Sequence, residues 1–145
     1  IDRNIWSLEW QQGAAESLPF PDETFDVCTI SFGLRNVMDL HQALAEIYRV
    51  LKPGGQLLCL EFSQVDEEIK ALYRLYTLDI LPKLGKIVAR NEEAYRYLGE
   101  SIQEFYSADA LKDLLCEAGF TTVHVTRLSK SIVAIHQGWK KEEKS

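Results

Sequence analysis

The spacing of apolar residues changes along the chain, and each change marks an element. Phe25-Asp26-Val27-Cys28-Thr29-Ile30-Ser31-Phe32 is a short, mostly apolar run rich in β-branched and aromatic types, which predicts a strand buried on both faces. Leu40, Ala43, Leu44, Ile47 and Leu51 then recur at spacings of three and four, the period of an amphipathic helix. Asp39 is placed to cap that helix, with Gln42 three residues on to complete a capping box. Lys52-Pro53-Gly54-Gly55 ends it, since a proline disfavours helix at the residue before it and the glycines allow positive φ. Leu57-Leu58-Cys59-Leu60 reads as a second buried strand. Strand, helix and strand form a βαβ unit with parallel strands and a right-handed crossover. The segments Ser31–Asn36 and Glu61–Ser63 therefore share one rim, the edge at which open α/β sheets bind ligands.

On either side of that unit the pattern is looser. Ile5, Trp6, Leu8 and Trp10 alternate with polar residues as in a short strand, and residues 13–22 form a loop punctuated by Gly13, Pro19 and Pro21. Leu18 and Phe20 are the residues that would anchor it. A long helix is predicted from Asp66 to Leu81, stopped by Pro82, with a stripe of Ile69, Leu72, Tyr73, Tyr76 and Ile80 broadened by Leu75 and Leu78. A stripe this broad implies burial against more than one neighbour: core, a substrate wall or a dimer face. Residues 84–89 read as a loop or short helix. Asn91 and Ser107 are placed to cap two further helices, the second stopped by Gly119. The apolar runs 121–128 and 132–135, joined by Ser129-Lys130-Ser131, predict an antiparallel hairpin. Residues 140–145 are charged and read as a disordered tail.

At 145 residues the chain is one domain at most, read as residues 1–139 plus the tail. Its net charge of −6 argues against nonspecific nucleic-acid binding, which needs a basic surface. Cys28, Cys59 and Cys116 fall in apolar periodic segments without zinc-ligand spacing or disulfide density, and read as reduced core residues. His41, His124 and His136 are scattered without a metal partner nearby in sequence. No apolar run reaches the length of a membrane span, and no secretory signal or basic presequence is present.

Arg49-Val50-Leu51-Lys52-Pro53-Gly54-Gly55, followed by Leu60-Glu61-Phe62-Ser63, resembles a hallmark of the ubiquinone/menaquinone-biosynthesis C-methyltransferases. So do Ser31-Phe32-Gly33-Leu34-Arg35-Asn36-Val37 and Tyr95-Arg96-Tyr97-Leu98-Gly99-Glu100-Ser101-Ile102, and the similarity runs from about Gly13 to Trp139. The Leu-Lys-Pro-Gly-Gly segment alone is common to many methyltransferases; the three other segments in that order are specific. The resemblance implies an α/β fold of the Rossmann-like class I S-adenosylmethionine-dependent type, a mostly parallel sheet closed by a C-terminal antiparallel hairpin. It implies methyl transfer from S-adenosyl-L-methionine to a ring carbon of a polyprenylated benzoquinol, and in bacterial members of demethylmenaquinol. Gln64-Val65 leans towards mitochondrial members, hence the mitochondrial matrix, peripheral to the inner membrane, with a bacterial cytoplasm as the alternative. A homodimer, a quinone-biosynthesis complex and contact with a membrane surface are the expected partners, with no nucleic acid.

Carbon methylation needs an electron-rich ring carbon, so a phenolic proton must leave and the oxyanion must be met. Arg35 stays protonated and is no simple base. Its expected role is to stabilise the quinolate or polarise a water, with Asn36 orienting that water or a ring hydroxyl; the alternative is a structural bridge from Arg35 to a carboxylate such as Glu61. By resemblance, the loop at Ala14 and Ala15 approaches the adenine, and Ser31 and Phe32 line the cofactor side. The family usually has an acidic or amide residue where this chain has Ala14. Tyr97, Leu98 and Ser101 match the substrate-side helix, with Tyr97 and Ser101 four apart on one face.

A complete methyltransferase of this class opens with a strand and a glycine-rich loop, yet Gly13 is the only glycine before Gly33. The expected reading is the C-terminal portion of a longer enzyme, its N-terminal half absent from this chain, leaving the strand at Phe25 with an unpaired edge. Edge-to-edge pairing and a truncated relative without catalysis are the other two readings. The competing functions are a non-catalytic scaffold in a quinone-synthesis complex, and a methyltransferase acting on another lipid-like acceptor such as a sterol.

Overall fold

The structure, a computed structural model, describes residues 8–88 and 91–142. Its sheet has the order β1-β2-β4-β3, built from Phe25–Ser31, Leu51–Phe62, Val133–Trp139 and Thr121–Leu128 for β4 and β3 respectively. β1 pairs parallel with β2, while β4 pairs antiparallel with both β2 and β3, so the expected βαβ unit and closing hairpin are both present in a mixed sheet.

α1 (Leu40–Val50) buries Leu40, Ala43, Leu44 and Ile47 as the spacing predicts. Its cap differs in one half. Asp39 accepts from the Gln42 amide at 3.0 Å, but the Asp39 amide donates to Glu16 at 3.3 Å, so a loop carboxylate replaces the Gln42 side chain of the expected box. α5 (Ala108–Glu117) adds Leu111 and Leu115 to the same core, over Leu57 and Cys59 of β2 and Val123 of β3. Ser107 caps α5, and Gly119 follows it with φ +105°. β2 begins at Leu51, earlier than expected, and the Lys-Pro-Gly-Gly segment forms an irregularity within it. Gly54 has φ +76°, and a Cβ on Gly55 would lie 2.8 Å from the Lys52 carbonyl, so neither position suits a side chain.

The strands are not buried on both faces. Along β2, Leu57, Cys59 and Glu61 are buried while Leu58, Leu60 and Phe62 on the opposite face are half-buried. On the edge strand β1, Val27 is 50% exposed. Periodicity reported apolar content, but burial depends on a covering layer, and among the described residues the helices that build the core cover one face. Two cysteines behave as expected: burial raises the Cys28 thiol and pushes Cys59 up to about 12. Cys116 does not, being exposed on the outer side of α5.

Pro82 does not stop the long helix. α2 (Glu67–Leu75) passes through a π-helical turn, Tyr76–Ile80, into α3 (Leu81–Val88). The Leu81 amide reaches back to the Tyr76 carbonyl, one residue further than in an α-helix. That wider winding, and the place of Pro82 in the first turn of α3, accommodate a ring that would otherwise strike the preceding turn. α4 (Glu92–Glu104), capped by Asn91, crosses at this turn: a Cβ on Gly99 would lie 2.3 Å from the Thr77 carbonyl. Among the described residues α4 covers one side of the long helix only, and Leu72, Leu75, Tyr76 and Ile80 stay 41–68% exposed, short of the expected burial against several neighbours.

At the N-terminal end, residues 8–12 are not a strand, and Leu8 and Trp10 are exposed; Ile5 and Trp6 lie outside the described residues, as do Ala89 and residues 143–145. Lys140, counted with the tail, is instead tied in: its amide donates to Gly55 and its Nζ donates to the Leu51 carbonyl at 2.8 Å. No helix among the described residues is long and apolar enough to cross a membrane.

Candidate active site

Parallel pairing carries the ends of β1 and β2 to one rim. The Phe32 amide donates to the Leu60 carbonyl at 2.8 Å, one step past the last residue of β1. The chain then turns sharply: Phe32 has φ +53°, a left-handed conformation that is costly for an aromatic residue. A 3-10 turn follows at Leu34–Asn36, anchored by the buried Leu34, and it sets Arg35 over the end of β2.

There Arg35 meets Glu61, which is 1% exposed. Arg35 Nη1 donates to Glu61 Oε1 at 2.9 Å and to the Phe32 carbonyl at 2.6 Å. The same carboxylate accepts from the backbone amides of Phe62 at 2.9 Å and Arg35 at 3.3 Å. The guanidinium carbon lies 5.3 Å from the centre of the Phe62 ring, which packs in turn on Phe32 at 4.8 Å. The bridge that the sequence left open therefore exists. It does not satisfy the guanidinium, however: among the described residues the buried Arg35 Nε has no hydrogen-bond partner.

α4 supplies the facing wall. Tyr97 donates its hydroxyl to Asn36 Oδ1 at 3.0 Å, and Asn36 Nδ2 donates to the Phe32 carbonyl at 3.4 Å, which fixes the amide's orientation. Between these elements lies a cleft of about 300 Å³ lined by Arg35, Tyr97, Glu100, Ser101, Glu104 and Phe105. The expected pair Tyr97 and Ser101 shares this cleft; Leu98 is half-buried and does not line it. The Ser101 hydroxyl donates to the Leu98 carbonyl at 3.0 Å, leaving its lone pairs for a donor. Glu100 and Glu104 were missed, although the spacing 97, 100, 101, 104 marks a single helical face. Ser63 belongs to a separate cavity of about 150 Å³, shared with Tyr73, Ile102 and Gln103 rather than with Arg35.

On the other side of the rim, Glu16 ties the loop carrying Ala14 and Ala15 to the chain leaving β1. Its Oε1 accepts from the amides of Met38 at 2.7 Å and Asp39 at 3.3 Å. Backbone donors at Glu16 itself, Met38 and Asp39 hold that carboxyl below its usual range. Ala14 and Ser31 are exposed, and Phe32 is 37% exposed. Among the described residues, an exposed apolar ring, the Ser31 hydroxyl and a tethered loop thus lie along a strand edge that no other strand pairs. The methyl of Ala14 offers no hydrogen-bond acceptor, so a polar contact at this position falls to its backbone.

The fold defines the class first. A SAM-dependent methyltransferase from Thermotoga maritima superposes with a TM-score of 0.63 at 24% identity, covering 89% of this chain and 62% of its own. At that identity the likeness speaks for the fold alone, a Rossmann-like methyltransferase fold. The family follows from sequence: the model of the ubiE/COQ5 methyltransferase family matches residues 2–140, and the chain belongs to that family. Proteins from Rickettsia bellii and Hydrogenovibrio crunogenus, each called ubiquinone/menaquinone biosynthesis C-methyltransferase UbiE, are 49% identical over 142 residues and 53% identical over 137. They match 97% and 94% of this chain but only 57% and 54% of their own lengths, so the chain spans about half the length of these curated relatives.

Proposed function

We infer that the intact protein is an S-adenosyl-L-methionine-dependent C-methyltransferase acting on a ring carbon of a polyprenylated benzoquinol in ubiquinone biosynthesis. The observation that carries this reading is Arg35, held at the strand-end rim where it lines a cleft with only Nη1 of its guanidinium engaged among the described residues. Membership of the ubiE/COQ5 family and the names of both relatives support it.

The cofactor, when bound, supplies an electrophilic methyl group. Ala14, Ala15, Ser31 and Phe32 would hold it, the alanines through their backbone. Arg35 and Asn36 are the catalytic pair. Arg35 remains protonated: it meets the oxygen of the acceptor as the phenolic proton passes to water, or polarises the water that takes that proton, and the methylated ring carbon then gives up its own hydrogen as a proton to solvent. Asn36, locked by Tyr97 and the Phe32 carbonyl, orients that water or a ring hydroxyl. Tyr97 and Ser101 line the acceptor's side of the cleft, and Leu98 supports them from within α4.

In the same reading the protein works as a homodimer within a quinone-biosynthesis complex, peripheral to the membrane surface that holds its polyprenylated substrate. Its place is the mitochondrial matrix at the inner membrane. A bacterial cytoplasm is the alternative, which the bacterial origin of both relatives supports. A non-catalytic scaffold in such a complex is the second reading, favoured by Ala14. Incubation of the intact protein with S-adenosylmethionine and a short-chain demethylated benzoquinol decides between them by mass spectrometry. A ring-carbon methyl product is expected; absence of product, or methylation on oxygen, contradicts the assignment.

A further inference from the structure

We propose that Glu61 is a positioning residue: it grips the Arg35 guanidinium through Nη1, so that the unengaged Nη2 is presented to the acceptor oxygen in the cleft. This deepens the function proposed above and rests on it. Glu61 touches no part of the cleft and acts through Arg35.

The grip is a closed figure. Glu61 Oε1 takes Arg35 Nη1 at 2.9 Å, and the other carboxylate oxygen takes the Arg35 amide at 3.3 Å, so one carboxylate clamps both backbone and side chain of a single residue. The Phe62 amide, at 2.9 Å, fixes the carboxylate in turn. A long flexible side chain normally loses rotamer freedom on engaging a ligand; here the fold has already removed it. Phe32 reinforces the hold. Its left-handed φ of +53° turns the carbonyl to Nη1 at 2.6 Å, and strain of this kind in a non-glycine residue gathers at functional sites. Both engaged bonds leave from Nη1; among the described residues neither Nε, which lies inside the protein, nor Nη2 has an acceptor, and Nη2 is the less buried of the two.

The carboxylate also sets the charge that an acceptor meets. With Glu61 in place the acceptor faces an ion pair; with a neutral amide of the same shape it faces a fuller positive charge, which favours ionisation of its hydroxyl. Glu100 and Glu104 of α4 border the same cleft, with the Tyr97 phenol beside them, and all three stay unchanged in such a variant.

The experiment uses the intact protein, with S-adenosylmethionine and a short-chain benzoquinol as probes, across a range of pH. Glu61→Gln should lower kcat by about 30-fold or more, from a misaimed donor, while KM for the quinol changes less than threefold. The acid limb of its rate profile should move to lower pH by about one unit. Arg35→Lys keeps the pair with Glu61 but has no second terminal nitrogen; it should lose kcat similarly with the limb unmoved. Nitrogen-15 NMR of the Arg35 Nε–H gives a readout besides activity: slowly exchanging in the wild type, merged with the exposed arginines in Glu61→Gln. A Glu61→Gln protein with wild-type kcat overturns the proposal. So does one whose kcat falls only with its folded fraction while the acid limb stays put. If the wild type transfers no methyl group, the functional reading falls, and the NMR comparison decides alone: an Nε–H still protected in Glu61→Gln overturns the positioning role.

Discussion

Two of the arginine–glutamate pairs among the described residues, Arg35–Glu61 and Arg49–Glu46, are used differently. Arg49, on α1, spends five hydrogen bonds: two on Glu46, and one each on Asp22, the Phe20 carbonyl and the Leu18 carbonyl. A guanidinium has five N–H groups, so nothing is left over. The Leu18 amide also donates to Glu46 at 2.8 Å, completing a staple that fastens the loop before β1 to the helix after it. Hydrogen bonds from Arg49 in the first place hold the Glu46 carboxyl at about 2. Arg35 is the more buried of the two, its side chain 11% exposed against 31%, and yet among the described residues it engages only Nη1. Saturation marks a structural arginine. A deeper arginine left short of partners beside a cleft marks a site.

The largest effect expected from breaking this contrast is on Arg35→Ala, which should reduce turnover of the intact enzyme by about 10³-fold, the scale seen when an oxyanion donor is removed. Its melting temperature should fall as well, because Glu61 keeps two backbone amides but loses its counter-charge, so turnover is compared per folded molecule. Next comes Gly99→Ala, where a Cβ 2.3 Å from the Thr77 carbonyl must part α4 from the π-turn. A loss of about 2–3 kcal/mol in urea unfolding is expected, with a raised KM for the quinol as Tyr97 is carried off Asn36. Arg49→Ala should lower Tm by about 5 °C while turnover per folded molecule is unchanged. The smallest effect is on pH. Burial first of all lowers the His136 imidazole, whose Nε2–H donates to the Ala108 carbonyl at 2.8 Å, so its stabilising contribution is complete above pH 6.5 and declines as pH falls below that. Glu46, with its folded value lowered from 4.5 to about 2, adds a second decline from about pH 4.5 downward. Urea midpoints across that range should show two steps, and Glu46→Gln should shrink the lower one, to which the lowered Glu16 carboxyl also contributes.

Local chemistry was legible. The Asp39, Asn91 and Ser107 caps, the α1 stripe, the hairpin and the rim that joins Arg35 to Glu61 follow from short spacings and strand polarity. What escaped depends on distant partners. The Arg49 staple reaches residues 27 to 31 positions away, and Glu16 reaches 22 to reach the start of α1, separations at which a sequence carries no local period. The helix through Pro82 needed a π-turn that the composition of Tyr76–Ile80 does not announce. Burial of β1 was overestimated because apolar content cannot say whether a neighbouring layer is there. At the site, Tyr97 and Ser101 were readable from helical spacing, whereas the left-handed turn at Phe32, which aims its carbonyl at Arg35, had no glycine to betray it.

The central claim is tested most directly by two lysine variants measured side by side, turnover and melting temperature for each in the intact protein. Arg35→Lys should lose about 100-fold in turnover at nearly unchanged Tm, and Arg49→Lys should lower Tm with turnover per folded molecule preserved. Two variants that lose stability alike, with turnover following the folded fraction in both, would show that Arg35 is a second staple and contradict the account.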